Sequence, residues 1–256
     1  MTVLERGVAG VSASGPQEAD WFEEWFGEDY LRIYQHRDEA EAEHAIQLVE
    51  ANLPGSEVNA VLDLGCGAGR HTKVLFERWW TVGLDLSMAL LKEARRESPE
   101  APYVRADMRE LPFADESFDL VVNLFTSFGY FEDDREHVRV LSCVRSAMRR
   151  GGTLVVDFLN ASQVRRDLVP YDERVENGVT IEQRREITAD DRFVEKTIML
   201  REKGREYIER VRLLSAADLE RMLMGAGFEV VKRFGDYGGA SWSESSPRTI
   251  LFANRR

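Results

Sequence analysis

Short apolar runs alternate with segments in which apolar residues recur every three or four positions, and the alternation spans roughly residues 58 to 158. The runs "NAVLDL", "TVGLDL", "PYVRAD", "FDLVVNLF" and "GTLVVDF" are short and apolar, as strands buried on both faces are. Between them the spacing predicts helices over about 70–78, from Ser87 onward and over 134–149, with Ser87 as an N-cap. Strands parted by helices imply a parallel sheet covered on both sides. Ahead of it, Tyr30, Leu31, Tyr34, Ala45, Ile46, Val49 and Leu53 stand at helical spacings until Pro54 and Gly55 stop the pattern. One or two amphipathic helices therefore precede the sheet. After about residue 178 the period changes: "VTIEQRREIT", "RFVEKTIML" and "REYIERVRLL" nearly alternate, which predicts an antiparallel meander with one wet face. Ser215 with Asp218 has the form of a capping box for a helix ending near Gly225 and Gly227, and "FEVVKRFGDY" and "RTILFANR" close the chain as strands. Residues 1–18 are small and polar and read as a flexible tail.

Composition adds limits rather than elements. The 256 residues suffice for one good-sized core, and 43% apolar with 31% charged residues is the make-up of a soluble globular protein. The formal charge of -12 disfavours nucleic acid as a partner, because its phosphates meet a repulsive mean field. No apolar run approaches the roughly 18–20 residues that cross a bilayer, and the first twenty residues lack the basic start and apolar centre of a signal peptide. A cytoplasmic location without a membrane partner is the expectation. The two cysteines, Cys66 and Cys143, suggest neither a disulfide framework nor a metal cluster, and the four histidines, His36, His44, His71 and His137, show no paired zinc spacing.

The chemistry concentrates in "VLDLGCGAGR", residues 61–70, where a buried strand runs into Gly65, Gly67 and Gly69. A glycine-rich turn at the carboxyl end of a parallel strand lets the backbone approach a ligand closely while the next helix offers free N–H groups. Arg70 stands where the dinucleotide fingerprint requires glycine or alanine, which argues against a nicotinamide enzyme. Asp85 ends the second strand, where a carboxylate can accept both hydroxyl protons of a ribose. With Asp63 before the alternate glycines, Asp107 in "VRADMREL", Asn123 in "FDLVVNLF" and the turn "MRRGG", the sequence resembles the class I S-adenosylmethionine-dependent methyltransferases over about residues 58–158.

The resemblance implies a Rossmann-like, doubly wound α/β fold: a mostly parallel seven-stranded sheet with an antiparallel last strand. It further implies an N-terminal helical lid over 19–57 and a methyltransferase domain over 58–256 that carries the inserted meander at about 165–214. The implied cofactor is S-adenosyl-L-methionine, leaving as S-adenosyl-L-homocysteine, with no metal. Its candidate contacts are Asp63, Gly65, Cys66, Gly67, Asp85, Leu86, Asp107, Met108 and Asn123, with Tyr34 and Arg37 from the lid. Asp63 reads more as an organiser of the loop than as a ligand, and Cys66 as a small packing residue rather than a nucleophile.

Beyond the fourth strand, "NLFTSFGYFEDD" gathers Phe125, Phe128, Tyr130 and Phe131 where ligands dock in an open parallel sheet. Core packing accounts for some of these rings. Tyr130, Phe128 and His137 are the substrate-facing candidates, and no catalytic base is assigned. "GDYGGASWSESSPR", with Tyr237, Trp242 and Arg248, offers another wall. The expected reaction is in-line displacement of the methyl group onto a nitrogen, oxygen or carbon of a small molecule. The alternatives are an RNA or protein methyltransferase and a cofactor-binding protein without turnover. The meander is expected to serve as a substrate cover, as the surface of a homodimer, or as both.

Overall fold

A computed structural model describes residues 21–34, 39–55 and 57–256. The expected tail over 1–18 and the residues His36 and Arg37 lie outside the described residues. Three helices come first: α1 (Trp21–Trp25), α2 (Glu28–Ile33) and α3 (Glu39–Asn52). The alternating part follows as β1 (Ala60–Leu64), α4 (Arg70–Phe76), β2 (Trp80–Asp85), α5 (Met88–Glu97), β3 (Tyr103–Arg105), β4 (Phe118–Asn123), α6 (Asp134–Ala147) and β5 (Met148–Leu159). Then come α7 (Ala161–Asp167), β6 (Tyr171–Glu176), β7 (Val179–Ile187), β8 (Phe193–Leu200), β9 (Arg205–Arg212), α8 (Ala216–Gly225), β10 (Phe228–Phe234) and β11 (Arg248–Arg255).

The seven-stranded sheet has the order β10-β11-β5-β4-β1-β2-β3. Pairing is parallel from β5 to β3, as the alternation predicts, and β11 runs antiparallel between β5 and β10, as the resemblance implies. All of β1 is buried, and its side chains divide between two layers by the period of two. Leu62 and Leu64 join Val140, Leu141 and Val144 of α6 and Leu219 and Leu223 of α8. Val61 joins Ala42, Ile46 and Val49 of α3 and Val74 and Leu75 of α4. From β1 the chain continues to β2 on one side and, after β3, returns to β4 on the other. That reversal opens a crevice above the carboxyl ends of β1 and β4. Ser87 caps α5 through the Leu90 N–H, and Ser215 with Asp218 forms the predicted capping box of α8. Among the described residues no helix is long and apolar enough to cross a membrane.

The second sheet has four strands, β6-β7-β8-β9, where the alternation predicts three. The extra strand, "YDERVE", has Val175 as its one aliphatic residue and leaves it 66% exposed, so an apolar pattern never marks it. Its signal is the turn instead. Asn177 and Gly178 both have positive φ (49° and 76°) in a two-residue hairpin that pairs Glu176 with Val179.

One face of this sheet carries Ile181, Ile198 and Leu200, which pack under Trp25 and Ile33 of the first two helices. The contact is riveted by Asp29, which is 5% exposed. Its carboxylate accepts from the Tyr207 hydroxyl at 2.8 Å, from Arg205 Nη1 at 2.9 Å and from Lys203 Nζ. Burial alone would raise its pKa, but the three donors hold it down at about 2. Because the folded-state value lies below the ordinary 3.8, the stabilisation is complete above pH 3.8 and is lost as the pH falls towards 2. Asp29→Asn is expected to destabilise the chain by roughly 1.5–3 kcal/mol at pH 7 in urea unfolding, with the difference from wild type vanishing in acid. A difference that persisted unchanged at pH 2 would contradict this account of α2.

Candidate functional site

At the end of β1 the backbone must turn sharply while staying open to the crevice, and the three glycines make this possible in different ways. All have φ in the left-handed region: 74° at Gly65, 55° at Gly67 and 81° at Gly69. A Cβ on Gly65 would lie 2.7 Å from Ser127 Cβ, and one on Gly69 would lie 2.8 Å from both Ala94 Cβ and the Tyr103 hydroxyl. These two glycines also serve close packing. A Cβ on Gly67 would meet nothing nearer than Leu90 Cδ1 at 3.9 Å, so only the backbone conformation demands glycine there.

The loop is fixed from several sides. Gly65 N–H and Cys66 N–H both donate to the Leu84 carbonyl, at 2.8 and 2.9 Å. Gly67 N–H donates to Asp85 Oδ2 at 2.8 Å, and the other oxygen of Asp85 accepts from Ser87 N–H at 2.8 Å. Burial raises the pKa of Asp85, against the pull of these backbone donors. Each carboxylate oxygen has capacity for a second hydrogen bond, and Asp85 lines the cleft. Asp63 and Asn123 lie beneath the loop instead. Asp63 is 1% exposed and accepts from the Thr72 hydroxyl at 2.6 Å, while Asn123, 2% exposed, donates to the Leu64 carbonyl at 2.8 Å. Burial first, and the neighbouring Asp85 charge, push the Asp63 carboxyl up to about 7, with Thr72 and Arg70 opposing.

The cleft has a volume of about 1380 Å³. Its walls include Gly65, Cys66, Gly67, Asp85, Leu86, Asp107, Met108, Tyr34 and Tyr130, which the topology brings together from five separate segments. Asp107 is held below the usual carboxylate range: burial opposes this, but Arg109 supplies its backbone N–H at 2.8 Å and a forked guanidinium contact. Cys66 is buried and its thiol pKa is pushed up by that burial, consistent with packing rather than nucleophilic chemistry.

Tyr130 meets Trp21 edge-on at 5.1 Å and lies 5.6 Å from Phe26, so rings from α1 and its end close against the loop after β4. Phe128 and His137 take other positions. His137 is fully buried, 5.0 Å from the Phe128 ring and 5.2 Å from Phe131, and burial lowers its pKa to about 4. Neither Phe128 nor His137 is on the cleft wall: α6 turns His137 into the core, and Phe128, from the loop before α6, is buried against it.

Tyr237 and Arg248 likewise brace a wall rather than form it. Phe125 and Thr126 both have positive φ, 58° and 63°, a strained pair held by Asp157 at the end of β5. Asp157 Oδ2 accepts from Phe125 N–H at 2.8 Å and from the Tyr237 hydroxyl at 2.6 Å, and the Asp157 carbonyl accepts from Thr126 N–H at 3.0 Å. Arg248 pairs with the same carboxylate and donates to Thr126 Oγ1 at 3.0 Å. Trp242 Nε1 donates to Thr249 Oγ1, away from the cleft.

The far wall carries residues that the sequence pattern did not single out. Register places Arg185 opposite Lys196 and Lys196 opposite Glu209, so one row crosses β7, β8 and β9 on the face that bounds the cleft. Gln183 stands two positions from Arg185 on the same face, and Arg174 joins from β6. Among the described residues, no cluster of three or more His, Cys, Asp or Glu side chains is placed to hold a metal ion.

Residues 61–152 match a family described as "Methyltransferase domain". Among curated relatives, a dTDP-3-amino-3,4,6-trideoxy-alpha-D-glucopyranose N,N-dimethyltransferase of Streptomyces venezuelae is 31% identical over 140 residues, covering 50% of this chain and 58% of that protein. A trans-aconitate 2-methyltransferase of Azoarcus is 29% identical, covering 52% of this chain and 50% of its own length. The chain therefore spans 58% of the first relative's length and 50% of the second's. Among solved structures, the CcbJ methyltransferase of Streptomyces caelestis superposes with a TM-score of 0.75 over 93% of this chain and 99% of that one, at 19% identity. At that identity the likeness establishes the fold.

The glycines provide a comparison within one loop. Gly67→Ala is expected to cost roughly 1–2 kcal/mol from its backbone conformation alone, whereas Gly69→Ala adds an overpacking cost of roughly 1–3 kcal/mol. Urea unfolding of the two variants checks this, and equal losses would contradict the division of roles.

Proposed function

We propose that this chain, which carries a methyltransferase domain over residues 61–152 within the class I fold, transfers the methyl group of S-adenosylmethionine to a nitrogen, oxygen or carbon of a small molecule. The observation that carries the reading is the Asp85 carboxylate, which ties down Gly67 N–H with one oxygen and still faces the cleft. Both named relatives support the small-molecule class, since one is named for an amino sugar nucleotide and the other for a carboxylic acid.

The residues fit such a donor by their chemistry. Asp85 would hold the ribose hydroxyls, Leu86, Asp107 and Met108 the adenine, and the Gly65 to Gly67 backbone together with Tyr34 the amino-acid end. Asp63 and Asn123 support that cradle by fixing the loop from below. When bound, the donor supplies a methyl carbon already activated by the sulfonium. The protein's task is then orientation and exclusion of water, and orientation alone can supply up to roughly 7–11 kcal/mol of barrier lowering. Tyr130, Trp21, Phe22 and Phe26 form an aromatic closure whose faces favour positive charge. His137, enclosed in the core and absent from the cleft wall, is not placed to take a proton from an amine acceptor.

The test is transfer of labelled methyl from S-adenosylmethionine into fractionated metabolites, RNA and protein. Label in a small-molecule fraction is expected; label confined to RNA or protein, or binding of the donor with no transfer to any fraction, would contradict the proposal. Asp85→Ala should weaken binding of S-adenosylmethionine by roughly 1.5–3 kcal/mol, measured calorimetrically. Tyr130→Phe should lower kcat while leaving donor affinity in place, and unchanged kinetics would return Tyr130 to a packing role.

A further inference from the structure

The wall built by the second sheet has a surplus of hydrogen-bond donors. Gln183 is 2% exposed and lines the cleft. Its Oε1 accepts from Arg185 Nη2, which fixes the amide orientation, and its Nε2 is buried with no partner. Buried donors in native proteins are nearly always satisfied, so an orphan on a cleft wall points to an acceptor supplied from outside.

The groups around Gln183 extend the same donor character. Arg185 contacts Asp172 and Gln183, Arg174 lies over the Tyr34 ring at 5.6 Å, and Lys196 reaches the Tyr34 hydroxyl at 3.3 Å. The carboxylate on the wall, Glu209, is already paired with Lys196 at 2.6 Å. Desolvation works against the Lys196 charge, but Glu209 and Tyr34 keep its pKa raised, so the ammonium persists through neutral pH. Three cationic side chains and a free amide donor thus face one cleft, in a chain whose formal net charge is -12.

This concentration opposes the average field of the molecule, and it lies in the same cavity as the glycine loop. Arg185 and Arg174 share one carboxylate, Asp172, and Lys196 takes Glu209, so three cations meet two carboxylates on this wall. Here the cross-strand register places Arg185, Lys196 and Glu209 side by side and leaves donors over.

We propose that the methyl acceptor carries an oxyanion, a carboxylate or a phosphate, that docks on Gln183, Arg185, Lys196 and Arg174. The docked group fixes the acceptor on the wall formed by the second sheet, within the same cleft as Asp85 and Tyr130. Arginine and lysine bind such oxygens through charge-assisted hydrogen bonds, and the Gln183 amide completes the set. This inference rests on the methyltransferase reading above and narrows its substrate class.

The experiment is calorimetric titration of the full chain, saturated with S-adenosylhomocysteine, with tricarballylate and separately with inorganic pyrophosphate; spermidine serves as the cationic comparison. One of the two oxyanions is expected to bind at a single site, and the one that binds distinguishes a carboxylate from a phosphate acceptor. Arg185→Gln and Gln183→Leu should each weaken that binding about tenfold while S-adenosylhomocysteine affinity stays as in wild type. Arg185→Lys, which keeps the charge, should restore most of it. Binding of neither oxyanion, binding unchanged in Arg185→Gln and Gln183→Leu, or binding of spermidine instead would overturn the inference while leaving the methyltransferase reading intact. Loss of S-adenosylhomocysteine binding by the wild-type chain would remove both.

Discussion

The Asp85 carboxylate ties together the two segments that leave the paired strands β1 and β2. One oxygen holds the N–H of Gly67 in the loop after β1, and the other holds the N–H of Ser87 at the start of α5. Ser87 in turn caps α5 and donates from its hydroxyl to the Phe26 carbonyl, which brings the end of α1 over the crevice. A buried charge is tolerable only when its oxygens are hydrogen-bonded, and here the donors come from the very segments that must be positioned. The glycine loop, the start of α5 and, through Ser87, the end of α1 are thus linked through one side chain.

The second sheet completes the cavity by a different kind of constraint. Its apolar half is packed under α1 and α2 and locked by Asp29, while its charged row of Arg185, Lys196 and Glu209 faces the cleft. One face therefore has two parts, an apolar end that adheres to the first helices and a charged end that walls the cleft. The strained pair Phe125 and Thr126 is held from the opposite side by Asp157, Tyr237 and Arg248. Strain at a crevice persists when surrounding bonds over-determine it, and three groups act on this turn.

Much of this was legible in the chain because period and punctuation are local. "VLDLGCGAGR" shows a buried strand meeting glycines, and the strands and helices up to β5 follow from apolar spacing and from caps such as Ser87. The strand β6 escaped because its inward positions are polar, although Asn177 and Gly178 carried a hairpin signal. His137 and Phe128 lie near the site in sequence, but the phase of α6 turns His137 into the core, and Phe128, in the loop before it, packs against the His137 ring there. Tyr237 and Arg248 sit under the wall because Asp157, far away in the chain, draws them there. The row formed by Arg185, Lys196 and Glu209 is set by strand register, which the spacing of charges does not reveal.

The central claim is that the loop from Gly65 to Gly69 and Asp85 form an adenosyl-binding cradle rather than a dinucleotide site or a purely structural turn. Calorimetric titration of the wild-type chain with S-adenosylhomocysteine, with nicotinamide adenine dinucleotide as the comparison, tests it most directly. Saturable one-to-one binding of S-adenosylhomocysteine and no heat from the dinucleotide is the predicted result. Absence of S-adenosylhomocysteine binding, or binding of the dinucleotide in its place, would contradict it.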